Sequence, residues 1–117
     1  MSTIDLYGIK NCQTMKKAMT WLEGNNIDYT FHDYKKTGID EETLQNWLNQ
    51  KPWDEIINKR GTTWRKLSDT DKADIDPTKA ISLMIANPSL IKRPALFMNN
   101  SLYLGFDAVL YQSLFSK

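Results

Sequence analysis

Cys12 is the only cysteine among 117 residues, and it falls where a short β-compatible run gives way to a helical pattern. The run is Ile4-Asp5-Leu6-Tyr7, with Gly8 offering a bend. From Met15 onward, Met15, Ala18, Met19 and Leu22 follow the i, i+3, i+4, i+7 spacing of one helix face. Gly24, followed by Asn25-Asn26, is a stop signal, because glycine readily takes the left-handed conformation that closes helices. Cys12 is therefore expected at a helix N-terminus, where unpaired amides and the helix dipole stabilise an anion. Lys10, Lys16 and Lys17 add positive charge nearby.

A thiol so placed ionises more easily. Lowering a cysteine pKa from about 8.5 to about 6.5 raises the thiolate fraction at pH 7 from roughly 3% to roughly 75%. Intrinsic nucleophilicity falls about eightfold over the same two units, leaving a net gain in attack rate of only about threefold. The larger benefit is that a low-pKa thiol also leaves more readily when a mixed disulfide is resolved. Spacing alone leaves a second reading open, in which Cys12 is a small buried hydrophobe.

Two other stretches carry candidate chemistry. Asn58-Lys59-Arg60-Gly61-Thr62-Thr63-Trp64-Arg65-Lys66-Leu67 is basic, with one glycine and small hydroxyls. It reads either as a solvated loop or as an anion-binding loop from which Arg60 reaches a site. Arg93-Pro94 is a basic step before a β hairpin, and Arg93 reads equally as a surface charge beside a strand. His32, the single histidine, has no ligand at metal-binding spacing and is read as a polar residue on the outer face of a strand. No metal site is expected.

The length fits one domain able to bury a core without disulfides or metals. A net charge of +1 gives no electrostatic case for nucleic acid or an anionic membrane. No basic-then-apolar leader opens the chain, and no apolar run approaches a membrane span, so a cytoplasmic monomer is the expectation. One cysteine rules out an intramolecular disulfide, and with it a self-contained dithiol switch.

The elements that must position Cys12 follow in order. Ile27-Asp28-Tyr29-Thr30-Phe31-His32 alternates apolar and polar as a half-buried strand does, completing a βαβ unit with parallel strands. Asp40 is an N-cap for a helix over 41–49 with Leu44, Trp47 and Leu48 on one face. Pro52 opens a short helix with Trp53, Ile56 and Ile57; residues 68–76 read as a short helix or turn. Asp76-Pro77 starts a helix to about Ala86, which Asn87-Pro88 stops. Ala95-Leu96-Phe97-Met98 and Leu102-Tyr103-Leu104-Gly105 flank a turn at Asn99-Asn100-Ser101. Asp107 caps a last helix whose expected apolar face is Val109, Leu110, Leu114 and Phe115.

The order βαβ, helical block, ββα, with a cysteine at the first helix and a basic-Pro step before the hairpin, resembles the thioredoxin-like fold carrying a helical insertion. The matching pieces are Tyr7-Gly8-Ile9-Lys10-Asn11-Cys12, Phe31-His32-Asp33-Tyr34, the run 60–67, Lys92-Arg93-Pro94 and Leu104-Gly105-Phe106. They resemble the ArsC/Spx family, in its YffB-like branch, over essentially the whole chain. The resemblance implies an α/β fold with a four-stranded mixed sheet, a thioredoxin-like core over 1–36 and 93–117, and a helical insertion over 37–92. It also implies a catalytic Cys12 and an anion or substrate pocket formed by Lys10, Asn11, Arg60, Arg93 and Pro94. The Arg93–Pro94 bond is implied to be cis, exposing the backbone before it to an extended thiol-bearing substrate.

Departures from the pattern narrow the function. Arsenate reductases of this family resemble a three-arginine clamp with a histidine just ahead of the cysteine, yet that position here is Gly8. Where the third arginine is expected, the chain reads Gly105-Phe106-Asp107. Fewer bidentate donors hold an oxyanion less well. Spx-type regulators often carry a second cysteine three residues after the first, where this chain has Met15. The expected function is a glutathione-dependent thiol reductase acting through a Cys12 mixed disulfide. It binds no cofactor, takes glutathione as reductant and co-substrate, and relies on glutathione or a glutaredoxin for resolution. Its substrate is a disulfide or an oxyanion. Glutaredoxin-coupled arsenate reduction, and a non-enzymatic Spx-like interaction role in which Trp21, Trp47, Trp53 or Trp64 anchor a partner, are the alternatives.

Overall fold

The computed structural model describes residues 4–115. In chain order the elements are β1 (Asp5–Gly8), α1 (Gln13–Gly24), β2 (Thr30–Asp33), α2 (Tyr34–Thr37), α3 (Glu41–Leu48) and α4 (Trp53–Ile56). They continue with α5 (Thr62–Lys66), α6 (Asp69–Lys72), α7 (Pro77–Ala86), a 3-10 turn (Pro88–Leu90), β3 (Ala95–Met98), β4 (Ser101–Leu104) and α8 (Ala108–Phe115). The chain divides into two compact units. One holds the residues up to Asp33 together with those from Arg93 onward, and the other is Tyr34–Lys92. The division falls ahead of α2, which packs on the 3-10 turn within the second unit.

The first unit is built on a four-stranded sheet in the order β2-β1-β3-β4. β1 and β2 are parallel, with Leu6 opposite Phe31 and Tyr7 opposite His32, so α1 is a crossover helix. β3 runs antiparallel to both β1 and β4, and Leu96 faces Leu6 across the first of these pairs. Strand side chains alternate between faces, which puts Leu6, Leu96 and Met98 on one side. Met15, Ala18 and Leu22 of α1 and Tyr111 of α8 close over them to form the core. Fully burying one such leucine stabilises the fold by about 1.5–3 kcal/mol.

Several expected boundaries shift for identifiable reasons. The left-handed residue that ends α1 is Asn26, with φ 58°, rather than Gly24. The Ile27 amide donates to the Leu22 carbonyl at 2.9 Å and the Asn26 amide to the Glu23 carbonyl at 3.1 Å, a Schellman closure. Because the cap uses the Ile27 amide, β2 starts only at Thr30. The hairpin turn has two residues, Asn99 and Asn100, both at positive φ (51° and 61°), so Ser101 belongs to β4.

In α8 the buried residue is Tyr111, whereas Val109 is 79% exposed. Asp107 caps this helix through the amides of Val109 (2.9 Å) and Leu110 (3.4 Å), so Val109 sits in an outward-facing first turn. Tyr111 instead packs edge-on against Trp21 and Phe106, with ring centroids 5.6 and 4.9 Å apart. His32 is half-buried: its Nε2 lies 2.9 Å from Asp5 Oδ1, and its ring stacks on Tyr7 at 4.3 Å.

The second unit packs α3, α7 and the 3-10 turn around Leu44, Trp47, Met84, Leu90 and Ile91. Asp40 accepts from the Thr43 amide at 2.8 Å and Asp76 from the Lys79 amide at 2.7 Å, fixing the starts of α3 and α7. An isolated bridge joins Ile57 to Ile91. The basic run 58–67 is not all loop, since Thr62–Lys66 forms α5. Among its tryptophans, Trp47 is core, while Lys59 and Lys72 lie over Trp53 and Trp64 at 5.0 and 5.6 Å. No helix of the described residues is long and apolar enough to cross a membrane.

Candidate active site

Cys12 occupies the N-cap position of α1, with extended backbone angles (φ −135°, ψ 129°). Its carbonyl accepts the Lys16 amide at 3.0 Å, as an N-cap carbonyl does, but its side chain makes no capping hydrogen bond. The first turn of α1 holds no acidic residue. The amide donors of that turn are thus left unclaimed by any neighbouring carboxylate, and the half-buried sulfur stands over them.

Opposing effects set its ionisation. Burial pushes the thiol pKa up. The backbone amides of Met15 and then Thr14 push it down, followed by the Arg93 guanidinium acting through its charge and as a hydrogen-bond donor. The downward effects win, and Cys12 lies below the ordinary thiol value. The amides act as nearby oriented dipoles, since no formed side-chain cap is present. The charge at work is that of Arg93, not of Lys10, Lys16 or Lys17, which are all exposed and screened by water.

Arg93 is half-buried and precedes Pro94, which is buried. The peptide bond between them is cis. The Pro94 carbonyl accepts the amide of Gly105 at 2.8 Å, and Gly105, at φ 82°, turns the chain from β4 toward α8. The Gly105-Phe106 segment is thereby tied to the residue after Arg93. Within the first unit the fold brings Cys12 and Arg93 together, with Pro94 next in the chain.

The other residues singled out from sequence stand differently. Lys10 and Asn11 are exposed on the loop before Cys12 and contribute nothing to the lowered pKa. Arg60 is exposed in the second unit, its backbone amide held by Asn58 Oδ1 at 3.1 Å in the turn before α5. Among the described residues no cluster of three histidine, cysteine, aspartate or glutamate side chains is arranged to hold a metal ion.

One pair of residues escaped the sequence reading as a pair. Met15 is fully buried, and a Cβ added to Gly8 would lie 2.3 Å from its Sδ and 2.8 Å from its Cε. The missing side chain at position 8 and the thioether at position 15 therefore occupy one space. Both positions depart from the family pattern, but nothing in their spacing shows that they touch.

A family model for the ArsC family matches residues 7–114. Among solved structures, the YffB protein is 48% identical, with a TM-score of 0.94 and coverage of 97% of this chain and all of its own. A protein related to arsenate reductase from Brucella melitensis is also 48% identical, with a TM-score of 0.76 and coverage of 98% and 96% of the two chains. Among curated relatives, the global transcriptional regulator Spx of Streptococcus pyogenes is 26% identical over 89% of this chain and 78% of its own length.

Proposed function

The chain belongs to the ArsC family, and on that premise we propose that it is a single-cysteine thiol reductase that draws its electrons from glutathione. The observation that carries this reading is the half-buried Cys12 thiol held below its ordinary pKa by the first-turn amides of α1 and by Arg93. A sulfur in that setting is both nucleophile and leaving group.

The Cys12 thiolate attacks one sulfur of a substrate disulfide. A new S–S bond forms to Cys12, and the other sulfur leaves as a thiolate that takes a proton from water. No second cysteine exists in the chain to attack the mixed disulfide. A glutathione thiolate attacks its substrate-side sulfur instead, Cys12 departs as thiolate, and the product carries glutathione. A second glutathione, alone or through a glutaredoxin, completes the reduction and leaves as glutathione disulfide. Arg93 stabilises the Cys12 thiolate at the start and the end of this cycle, and its guanidinium is the donor for a carboxylate of glutathione or substrate. The reaction takes place in the cytoplasm, where reduced glutathione is held in excess.

Mass spectrometry tests the cycle. Exposure to oxidised glutathione adds one glutathione at Cys12, reduced glutathione removes it, and Cys12→Ser takes up none. Absence of an adduct on the folded wild type overturns the proposal.

Arsenate reduction by the same thiol is favoured by the likeness to the Brucella protein. It is weakened at position 8, where the Met15 thioether takes the place of any Cβ. Robust Cys12-dependent arsenate turnover, with glutathione and glutaredoxin supplied, would reverse the order of these readings. The Spx likeness supports a non-enzymatic role, which predicts that Cys12→Ser retains partner binding and function.

A further inference from the structure

Beside the α1 face that follows Cys12 runs an open groove of about 430 Å³ with mostly carbon walls. Trp21, Phe106 and Ala108 form its apolar surface, Thr20 adds a hydroxyl, and Lys16 and Lys17 stand on its rim. Its floor is firmly held, because Trp21 and Phe106 both pack edge-on against the fully buried Tyr111. Val109, next in the chain to Ala108, is 79% exposed, the most exposed large hydrophobic residue among those described. Neither rim lysine has an ion-pair partner among the described residues. Glu23, the nearest carboxylate in sequence to these lysines, accepts the Tyr29 hydroxyl at 2.9 Å, and Asp107, between Phe106 and Ala108, is committed to capping α8.

Apolar walls with unpaired ammonium groups at the lip complement a ligand that is apolar at its centre and anionic at its edge. Position names the source of that ligand. At 1.5 Å per residue along α1, the middle of the groove lies about 10 Å beyond Cys12. An extended peptide spans that distance in about three residues. A polypeptide joined to Cys12 by a disulfide and running along α1 would bring its third or fourth neighbouring residue over Trp21 and Phe106.

We infer that this groove recognises the protein substrate of Cys12, by binding an aromatic or large aliphatic side chain and an adjacent carboxylate about three residues from the reactive half-cystine. This inference rests on the thiol-reductase reading and adds to it a substrate class: disulfides, or glutathione adducts, within apolar-acidic segments. Lys16 and Lys17 are thereby assigned to substrate selection rather than to activation of the thiol.

The test separates binding from chemistry. Two peptides carry serine in place of the half-cystine. One has phenylalanine and glutamate three and four residues further on, and the other has serine and lysine there. In a titration of the full ¹⁵N-labelled chain, the phenylalanine-glutamate peptide shifts the amides of Lys16, Lys17 and Ala108 and the Trp21 indole. The serine-lysine peptide binds at least tenfold more weakly. Ala108→Glu puts a carboxylate into the groove at an exposed first-turn position of α8, which tolerates it, and weakens the first peptide at least tenfold.

The cystine-containing versions, mixed with the reduced protein, then give the rate of Cys12 mixed-disulfide formation, scaled to alkylation by iodoacetamide. The wild type prefers the phenylalanine-glutamate disulfide at least fivefold. Ala108→Glu abolishes the preference and leaves alkylation unchanged. Equal binding of the two peptides, or a preference indifferent to Ala108→Glu, overturns the groove while leaving the reductase reading standing. Selective binding without a mixed disulfide from any peptide or from oxidised glutathione overturns the assignment to a disulfide substrate, together with the reductase reading.

Discussion

The start of α1 and the starts of α3, α6, α7 and α8 solve one problem in opposite ways. Every helix begins with amides that no intrahelical carbonyl reaches. Asp40, Ser68, Asp76 and Asp107 each turn a side-chain oxygen back onto such an amide, at 2.8, 3.0, 2.7 and 2.9 Å. α1, with 12 residues, has a cysteine in that position, no capping bond from it, and no acidic residue in its first turn. The capped helices use their N-termini for stability, whereas α1 keeps its own for a thiolate. The C-terminal end of α1 is closed conventionally at Asn26, so the opening is confined to the end that carries Cys12.

The largest effect comes from removing the sulfur. Cys12→Ser should abolish mixed-disulfide formation outright, since it removes the only sulfur able to form the S–S bond. It should also change the pH dependence of folding. A thiol whose pKa is lowered in the folded state contributes stability that is present above its unfolded value and lost as pH falls through the folded one. Denaturant titrations should show that dependence in the wild type and not in Cys12→Ser.

Arg93→Ala comes next. It removes a charge-assisted contact to a glutathione carboxylate worth about 1.5–3 kcal/mol, so the affinity for glutathione that precedes the S–S step should fall roughly 10- to 150-fold. Burial would then face only the Met15 and Thr14 amides, and the alkylation midpoint should move up in pH. Arg93→Lys should recover part of the shift. If Lys10→Ala raises the midpoint as much as Arg93→Ala does, the view of Arg93 as the working charge fails.

How much of this contrast was readable beforehand differs from residue to residue. The capped starts were legible because aspartate at an N-cap acts locally: Asp40, Asp76 and Asp107 needed only their own next turn to be recognised. Cys12 at the start of α1 was legible for the same reason, from an apolar stripe that begins just after it. Arg93 as its charged partner was not legible from spacing, because 81 residues separate them and only the pairing of β1 with β3 brings their strands side by side. The more obvious lysines were closer in sequence and farther in effect. α5 was missed because five residues with no buried side chain leave no periodic signal. In α8 the polar hydroxyl of Tyr111 disguised the one residue that the core takes up completely. Gly8 and Met15 looked like two separate losses, and only their contact shows them to be one packing solution.

That contact gives a smaller effect with a clear sign. Gly8→Ala drives a Cβ onto a fully buried thioether and should cost about 1–3 kcal/mol, toward the lower end because methionine can swing its flexible terminus aside. In a Met15→Ala background the same change should cost markedly less, since the space is then vacant. Additive losses measured by urea unfolding would show that the two positions do not share one cavity. The comparison of helix starts sharpens here, because Met15 is also the residue whose amide faces the thiol.

The smallest effects exchange the two kinds of helix start. Asp40→Ala should cost about 1 kcal/mol, the usual loss for an N-cap oxygen, and leave Cys12 alkylation untouched. Its cost should fade in acid. The Thr43 hydroxyl and then the Thr43 amide hold the Asp40 carboxyl below its ordinary pKa, so its contribution is present above the unfolded value and lost as pH falls through the folded one. Cys12→Asp makes the reverse exchange, placing a capping carboxylate on the extended N-cap of α1 and beside Arg93. It should raise stability by about 1 kcal/mol while removing all thiol chemistry. A Cys12→Asp variant no more stable than the wild type would mean that the α1 amides were already satisfied, and that the contrast with the capped starts of α3, α6, α7 and α8 does not hold.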